Sequence, residues 1–284
     1  MRLVRYRYAG QTRIGVQVQG GILPSRYSDL RTLIEAGPEE LATLRQAAER
    51  PDSAEIIQPE RLLAPIAERC QLLFAGGNYR DHLAEAGLHP KEPVFFPKLY
   101  SAVIGPGEPI RIPTPETHTD WEAELAIIIG RTAYQIPAEH ALDYIFGYTL
   151  VNDVSARDVM DREPLQIMLC KSPDSFCPIG PHVVTADEVP DIREVALELT
   201  TRLNGELKQH ARTDQMIYTI PTLLEFLTRT VTLAPGDVVS TGTAGGTGMG
   251  ATPPQFMAPG DEIVVAMTGI GELRNPIVAG WNNQ

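Results

Sequence analysis

Two glutamates spaced two apart, Glu122 and Glu124, stand at the head of the apolar run Leu125 to Ile129. The run reads as a buried strand, and in a strand residues two apart project from one face. Glu122 and Glu124 then point one way, and Trp121, Ala123 and Leu125 the other. Carboxylates held side by side repel one another and are costly to desolvate. A bound cation relieves both costs. An all-oxygen set suits a hard ion, Mg²⁺ or Mn²⁺, with Ca²⁺ as a substitute. By itself the pair reads equally well as two surface glutamates on a solvated edge strand. A third acid changes the balance. The apolar stretch Ile145 to Val151 runs into Asn152-Asp153, which puts Asp153 at a strand end, a common place for ligands held by a rigid scaffold. Glu122, Glu124 and Asp153 then supply half an octahedron and leave the other positions to water and substrate oxygens, as metal-assisted catalysis requires. Asp158 and Asp161 lie nearby, and Asp158 is read as the partner of Arg157 rather than as a ligand.

A second chemical group follows Gly76-Gly77. Residues Tyr79 to Ala86 read as a helical turn closed by Gly87, which brings His82 and Glu85, three apart, within reach of each other. A carboxylate beside an imidazole fixes its tautomer and stabilises the imidazolium, making a general base able to activate water. The same spacing also describes an ordinary surface ion pair worth about 0.3 kcal/mol. Lys98 and Lys171 each sit among apolar residues, where a lysine either snorkels to water or serves an anionic substrate. The glycine-rich run Thr241 to Gly250 lacks the lysine of a phosphate-binding loop and no βαβ unit surrounds it. It is read as a flexible loop whose backbone approaches a ligand closely.

The elements that must position these groups are mostly strands and turns. Residues 1 to about 20 alternate around Ala9-Gly10-Gln11 as a hairpin. Helices are expected from Ser28 to Ala36, with Ser28 or Asp29 as N-cap, and from Pro38 to about Arg50. Pro51-Asp52-Ser53 breaks the chain, and the irregular stretch Ile56 to Ala67 divides a small N-terminal α+β domain, 1–68, from a larger one, 69–284. The larger part opens with a strand, Gln71 to Ala75. Asn204-Gly205 signals a type I′ hairpin, and Ile220, Leu223, Leu224 and Leu227 make a helical stripe opened by Pro221. Two Pro-Gly-Asp turns, at Pro235 and Pro259, each launch an apolar strand. The fold class is α+β and β-rich.

Bulk properties exclude several functions. The chain has 284 residues, 43% apolar and 21% charged, enough for an ample core. A formal net charge of -12 argues against nucleic acid and anionic membrane surfaces as partners. No apolar run is long enough to span a bilayer, and the N-terminus lacks the apolar core of a signal peptide. Cys70, Cys170 and Cys177 have no zinc-like spacing and are read as reduced thiols of a cytoplasmic protein.

Taken together, residues 70 to 280 resemble the fumarylacetoacetate hydrolase family. The resemblance rests on Gly77-Asn78-Tyr79-Arg80-Asp81-His82 with Glu85, Lys98, Trp121 to Ala126, and Asn152 to Asp158. It continues through Lys171-Ser172, Gly180-Pro181, Asn204-Gly205-Glu206, Pro235-Gly236-Asp237 and Thr241-Gly242-Thr243. It implies a mixed β-roll, a homodimer, and Mg²⁺ or Mn²⁺ held by Glu122, Glu124 and Asp153. His82 and Glu85 match the family's water-activating dyad on a lid-like segment. Lys98 and Lys171 match its substrate- and oxyanion-stabilising lysines. Tyr79, Arg157, Met160 and Thr243 are expected on the substrate side. The implied reaction is hydrolytic C–C cleavage of a 1,3-dicarbonyl or acylpyruvate-type 2-oxo acid through a metal-bound enolate. The alternatives are decarboxylation of a 2-oxo acid or isomerisation of a dienol at the same site. Two residues depart from the pattern. Met160 stands where members handling short oxo-diacids carry glutamine, which favours a longer or less polar substrate over oxaloacetate. Ala244 replaces a proline common after the Thr-Gly-Thr motif, which is expected to loosen the loop.

Overall fold

The computed structural model describes residues 1–52, 55–87, 89–160 and 162–280. Ser53 and Asp161, both read in the sequence above, lie outside the described residues. The strand Ala123–Ile129 is buried along its whole length because it packs on both faces. Its odd residues, Leu125, Ile127 and Ile129, enter one core cluster with Leu199, Val265, Met267 and Leu273. Its even residues, Ala126 and Ile128, enter another with Leu3, Ile14, Leu30, Leu33, Phe74 and Val151. Burial on both sides explains why the sequence here is continuously apolar rather than alternating.

This strand lies inside an eleven-stranded mixed sheet. Its neighbours are Ile145–Asn152 on one side and Val238–Ser240 on the other, both antiparallel. Beyond Val238–Ser240 come the parallel strand Leu72–Gly76 and the antiparallel strand Val94–Pro97. Beyond Ile145–Asn152 come Cys177–Thr185 and then the N-terminal strands Arg2–Tyr8, Gln11–Val18 and Gly21–Pro24. A second, five-stranded sheet runs Glu206–Arg212, Glu198–Leu203, Glu262–Met267, Gly271–Ala279, Ile110–Ile112. The cluster around Leu125 and Val265 fills the space between the two sheets.

Local chemistry sets the ends of these elements. Asn204 and Gly205 take φ of 50° and 84°, the left-handed pair that a type I′ turn needs. The helix Ile220–Thr228 begins at Thr219, whose side chain accepts from the Thr222 N–H, and buries Ile220, Leu223, Leu224 and Leu227. Asp29 caps the helix Leu30–Glu35 in the same way. The helix Pro38–Glu49 follows it. The strand Arg2–Tyr8 is bonded to Cys177–Thr185, and Leu3, Ile14 and Leu30 share a core with Phe74 and Ile128. The expected division near residue 68 therefore separates two stretches of chain that share one sheet and one core cluster. All three cysteines are free and buried. Among the described residues, no helix is long and apolar enough to cross a membrane.

Candidate metal centre and cavity

Strand register brings the three acids together. Ala123 pairs with Asn152, so Glu122 and Asp153 face each other just past the ladder, and the Asp153 N–H donates to the Glu122 carbonyl at 2.8 Å. Glu124 lies one pleat further in on the Glu122 face. One carboxylate oxygen from each of Glu122, Glu124 and Asp153 lies within 4.8 Å of the others, and all three side chains are buried.

Their partners differ. The Glu122 carboxylate accepts from Arg157 Nη2 at 2.6 Å and from Lys171 Nζ at 2.7 Å. Asp153 accepts from Lys171 Nζ at 2.7 Å and from Lys98 Nζ. Glu124 accepts only neutral donors, the Ser240 hydroxyl and the Gly242 N–H at 3.0 Å. Burial raises the Glu124 pKa well above the usual carboxylate range, and the charges of Asp153 and Glu122 raise it further. Burial also opposes ionisation of Glu122, but Lys171 and Arg157 outweigh it and hold its carboxyl far below that range. Lys171 loses by desolvation and gains more from Asp153 and Glu122, so its ammonium is held charged.

The donor set fits a hard divalent cation. Three buried carboxylate oxygens converge, and among the described residues one of the acids, Glu124, has no cationic hydrogen-bond partner and is pushed toward keeping a proton. Lys171 bridges the other two, so its ammonium competes with an ion for the same oxygens. The lysines are thus placed differently from the expectation. Lys98 is buried, bonded to Asp153 and to the Val154 carbonyl at 3.1 Å, and does not line the cavity beside the centre. Lys171 does line it.

That cavity, of about 600 Å³, is lined by Glu122 and Lys171 from the acidic centre and by His82, Arg157, Met160 and Thr243 from the expected site. His82 lies on the helix Arg80–Ala86, which Gly87 ends at φ 65° as the sequence suggested. Its Nδ1 is 4.0 Å from Glu85 Oε2 and has no hydrogen-bond partner among the described residues. The Glu85 carboxylate instead accepts from the Gly246 N–H at 2.8 Å. Burial opposes ionisation of Glu85, but His82 and the loop N–H groups lower its pKa overall.

The glycine-rich segment is anchored rather than loose. Its backbone N–H groups donate to three acids: Gly242 to Glu124, Gly246 to Glu85, and Gly248 and Met249 to Asp120 at 2.6 and 3.1 Å. Asp120, fully buried, was missed as a site residue. It accepts from Arg157 Nε at 2.8 Å, which corrects the expected Arg157–Asp158 pair. Asp158 accepts from the His118 N–H and pairs with Arg162. The signal for Asp120 was present, since it stands two residues before Glu122 and continues the same period.

Tyr79 is fully buried against Ala211, Ala244 and Met216 and does not line the cavity, contrary to its expected place at the substrate. Thr243 reaches the cavity wall, but its hydroxyl donates to the Ala123 carbonyl and accepts from Gln209 Nε2. Gln209, also missed, ties that threonine to the Ala244 carbonyl and the Ala123 N–H.

A sheet-rich α+β fold that gathers three carboxylates beside a cavity of about 600 Å³ defines an enzyme scaffold with a candidate cation centre. The family model described as Fumarylacetoacetate (FAA) hydrolase C-terminal matches residues 71–278, and the chain belongs to that family. A mitochondrial oxaloacetate tautomerase of Xenopus laevis is 38% identical over 98% of this chain and 90% of its own length. A fumarylacetoacetate hydrolase from psychrophilic Exiguobacterium antarcticum superposes with a TM-score of 0.84 at 36% identity, covering 98% of this chain and 99% of that one. A 2-hydroxyhepta-2,4-diene-1,7-dioate isomerase from Mycobacterium marinum gives 0.75 at 31% identity, covering 99% and 100%. The family is one of enzymes, with hydrolase, tautomerase and isomerase members that are typically dependent on a divalent metal.

Proposed function

We propose that the protein is a divalent-metal-dependent hydrolase that cleaves a C–C bond of an acylpyruvate-type 2-oxo acid. The observation that carries this reading is the convergence of Glu122, Glu124 and Asp153 beside a cavity whose wall holds His82. A divalent ion, Mg²⁺ or Mn²⁺, held by those acids would supply a Lewis acid for the negative charge that cleavage leaves on the 2-oxo acid fragment. His82 takes a proton from water, with the Glu85 carboxylate 4.0 Å from Nδ1 to stabilise the imidazolium. The water oxygen bonds to the distal carbonyl carbon, and Lys171, on the cavity wall, offers positive charge to the oxygen of that carbonyl. The C–C bonding pair passes to the 2-oxo acid fragment, which takes up a proton as the carboxylic acid leaves.

A second reading, keto–enol tautomerisation or dienol isomerisation of a 2-oxo acid, has its own support. Glu85 is bonded to Gly246 rather than to His82, and the relatives include a tautomerase and an isomerase. Neither reaction needs an attacking water. With Mn²⁺ and acetylpyruvate, hydrolysis yields acetate and pyruvate, and His82→Ala is expected to lower that rate by about 10²–10⁴-fold. Undiminished acetate release by His82→Ala would remove His82 as the base. No acetate from the unaltered protein, together with catalysed keto–enol exchange of a 2-oxo acid, would assign the enzyme to the second reading.

A further inference from the structure

Much of the cavity wall is apolar: Leu83, Val94, Phe96, Met160, Leu165 and Ile167 line it, with the Phe96 ring 5.2 Å from Lys171 Nζ. Two of these are unusually wet for their chemistry, Leu165 at 61% exposure and Val94 at 50%. The basic groups that line the cavity are placed at its reacting end or are tied to buried acids. Lys171 lies against Glu122 and Asp153, where it meets the reacting carbonyl rather than the far end of the substrate. Arg157 gives Nε to Asp120 and Nη2 to Glu122, and its Nη1 faces the Met160 sulfur at 3.8 Å. The thioether thus caps the guanidinium edge that would otherwise receive a carboxylate. His82 belongs to the reacting end, and His89 is exposed, where an ion pair contributes little.

We infer that the substrate is a 2-oxo acid with an uncharged, apolar tail, an alkyl or aryl acylpyruvate rather than a dicarboxylate, and that Met160 enforces the choice. The inference rests on reading the site as one for 2-oxo acids. A second carboxylate carried along this wall would lose water without gaining a cation, a cost that an alkyl end avoids. Each methylene laid against Phe96, Ile167 and Leu165 instead contributes hydrophobic burial.

The test compares ligands that differ only at the far end, in the metal-loaded protein. Binding is measured by calorimetry with 2-oxoheptanoate against 2-oxoheptanedioate, neither of which carries the 1,3-dicarbonyl group. Turnover is measured with 2,4-dioxoheptanoate against 2,4-dioxoheptanedioate. The methyl-ended member of each pair is expected to be favoured by about tenfold or more. Lengthening the alkyl tail should raise affinity by about fourfold per methylene until the wall ends. Met160→Gln, which uncaps Arg157, should narrow the methyl-to-carboxylate ratio by about threefold or more. Equal or tighter binding of the dicarboxylates, or no binding of either, overturns the inference. Binding with the expected preference but no cleavage of any acylpyruvate leaves it standing and removes the hydrolase reading instead.

Discussion

Glu122 and Glu124 share one strand face, yet their surroundings drive them in opposite directions. Glu122 is held as a carboxylate by Lys171 and Arg157, whereas Glu124, burdened by burial and by two acidic neighbours, is pushed toward keeping a proton in the ion-free protein. Replacement by glutamine separates the two. Glu122→Gln leaves buried cationic groups short of their counter-charge and should cost about 3–5 kcal/mol of ion-free stability. Glu124→Gln replaces a group driven toward its neutral form by an isostere that keeps the Ser240 and Gly242 contacts, so its cost should stay within about 1 kcal/mol. The order reverses when an ion is added. Mn²⁺ at a hundred times its dissociation constant should stabilise the unaltered protein by about 2.7 kcal/mol, and Glu124→Gln should lose most of that gain. Urea denaturation with chelator and with Mn²⁺ measures both quantities. A large ion-free loss in Glu124→Gln would mean that the side chain is charged there after all.

At the level of elements, backbone N–H groups of the loop Thr241 to Gly250 join the helix carrying His82 to the acidic centre, through Gly246 to Glu85 and Gly242 to Glu124. Steric space shows which glycines matter to that joint. A Cβ on Gly250 would lie 2.5 Å from Glu85 Oε2, the end of a flexible side chain that can move aside. A Cβ on Gly246 would lie 2.2 Å from the Lys208 carbonyl, at a φ of 89° that L-residues rarely adopt. Gly250→Ala should therefore keep the melting temperature and Mn²⁺ affinity while lowering hydrolysis about tenfold, through a displaced Glu85. Gly246→Ala should instead destabilise by about 2 kcal/mol or more, through strain and collision. Activity and thermal melting of the two variants, compared directly, check the contrast. The sequence could show the elements but not this joint. The Asn204-Gly205 turn, the stripe from Ile220 to Leu227 and the paired glutamates are local patterns, and strand or helix geometry turns each directly into a face or a bend. Arg157 with Asp120, Lys98 with Asp153 and Glu85 with Gly246 are pairings across 37, 55 and 161 residues. No local period encodes such partners. Local spacing therefore pairs Arg157 with its sequence neighbour Asp158, and it leaves the glycine-rich stretch loose because the restraints come from acids far along the chain. Tyr79 illustrates the same limit, since its position at a helix start says nothing of which side chains cover it.

At the scale of the molecule, two sheets close on one another around the core cluster that holds Leu125 and Val265. One polar tie between them is His182, on the strand Cys177–Thr185 of the large sheet. Its Nε2 meets the Ile270 carbonyl, at the turn before Gly271–Ala279 of the second sheet, at 2.6 Å. The ring is 7% exposed and packs against Gly271. Burial lowers its pKa, and the hydrogen bond to Ile270 offsets only part of that, with the positive charge of Arg2 adding to the depression. In the unfolded chain the same imidazole titrates near the reference value of about 6.5. As pH falls below that value, the unfolded state takes up the proton first, so the folded state loses stability relative to it. The contribution is complete above about pH 6.5 and declines as pH drops toward the lower folded value, by about 1.4 kcal/mol for each pKa unit of depression. Other acids and histidines titrate in the same range, so the comparison must be with His182→Gln, whose amide can keep the bond to Ile270 without titrating. Urea midpoints between pH 5 and 8 should fall more steeply on acidification in the unaltered protein than in His182→Gln. The two curves should converge in slope above pH 7. Parallel curves throughout would show that the imidazole between the sheets carries no buried protonation cost, and that the tie is held by shape alone.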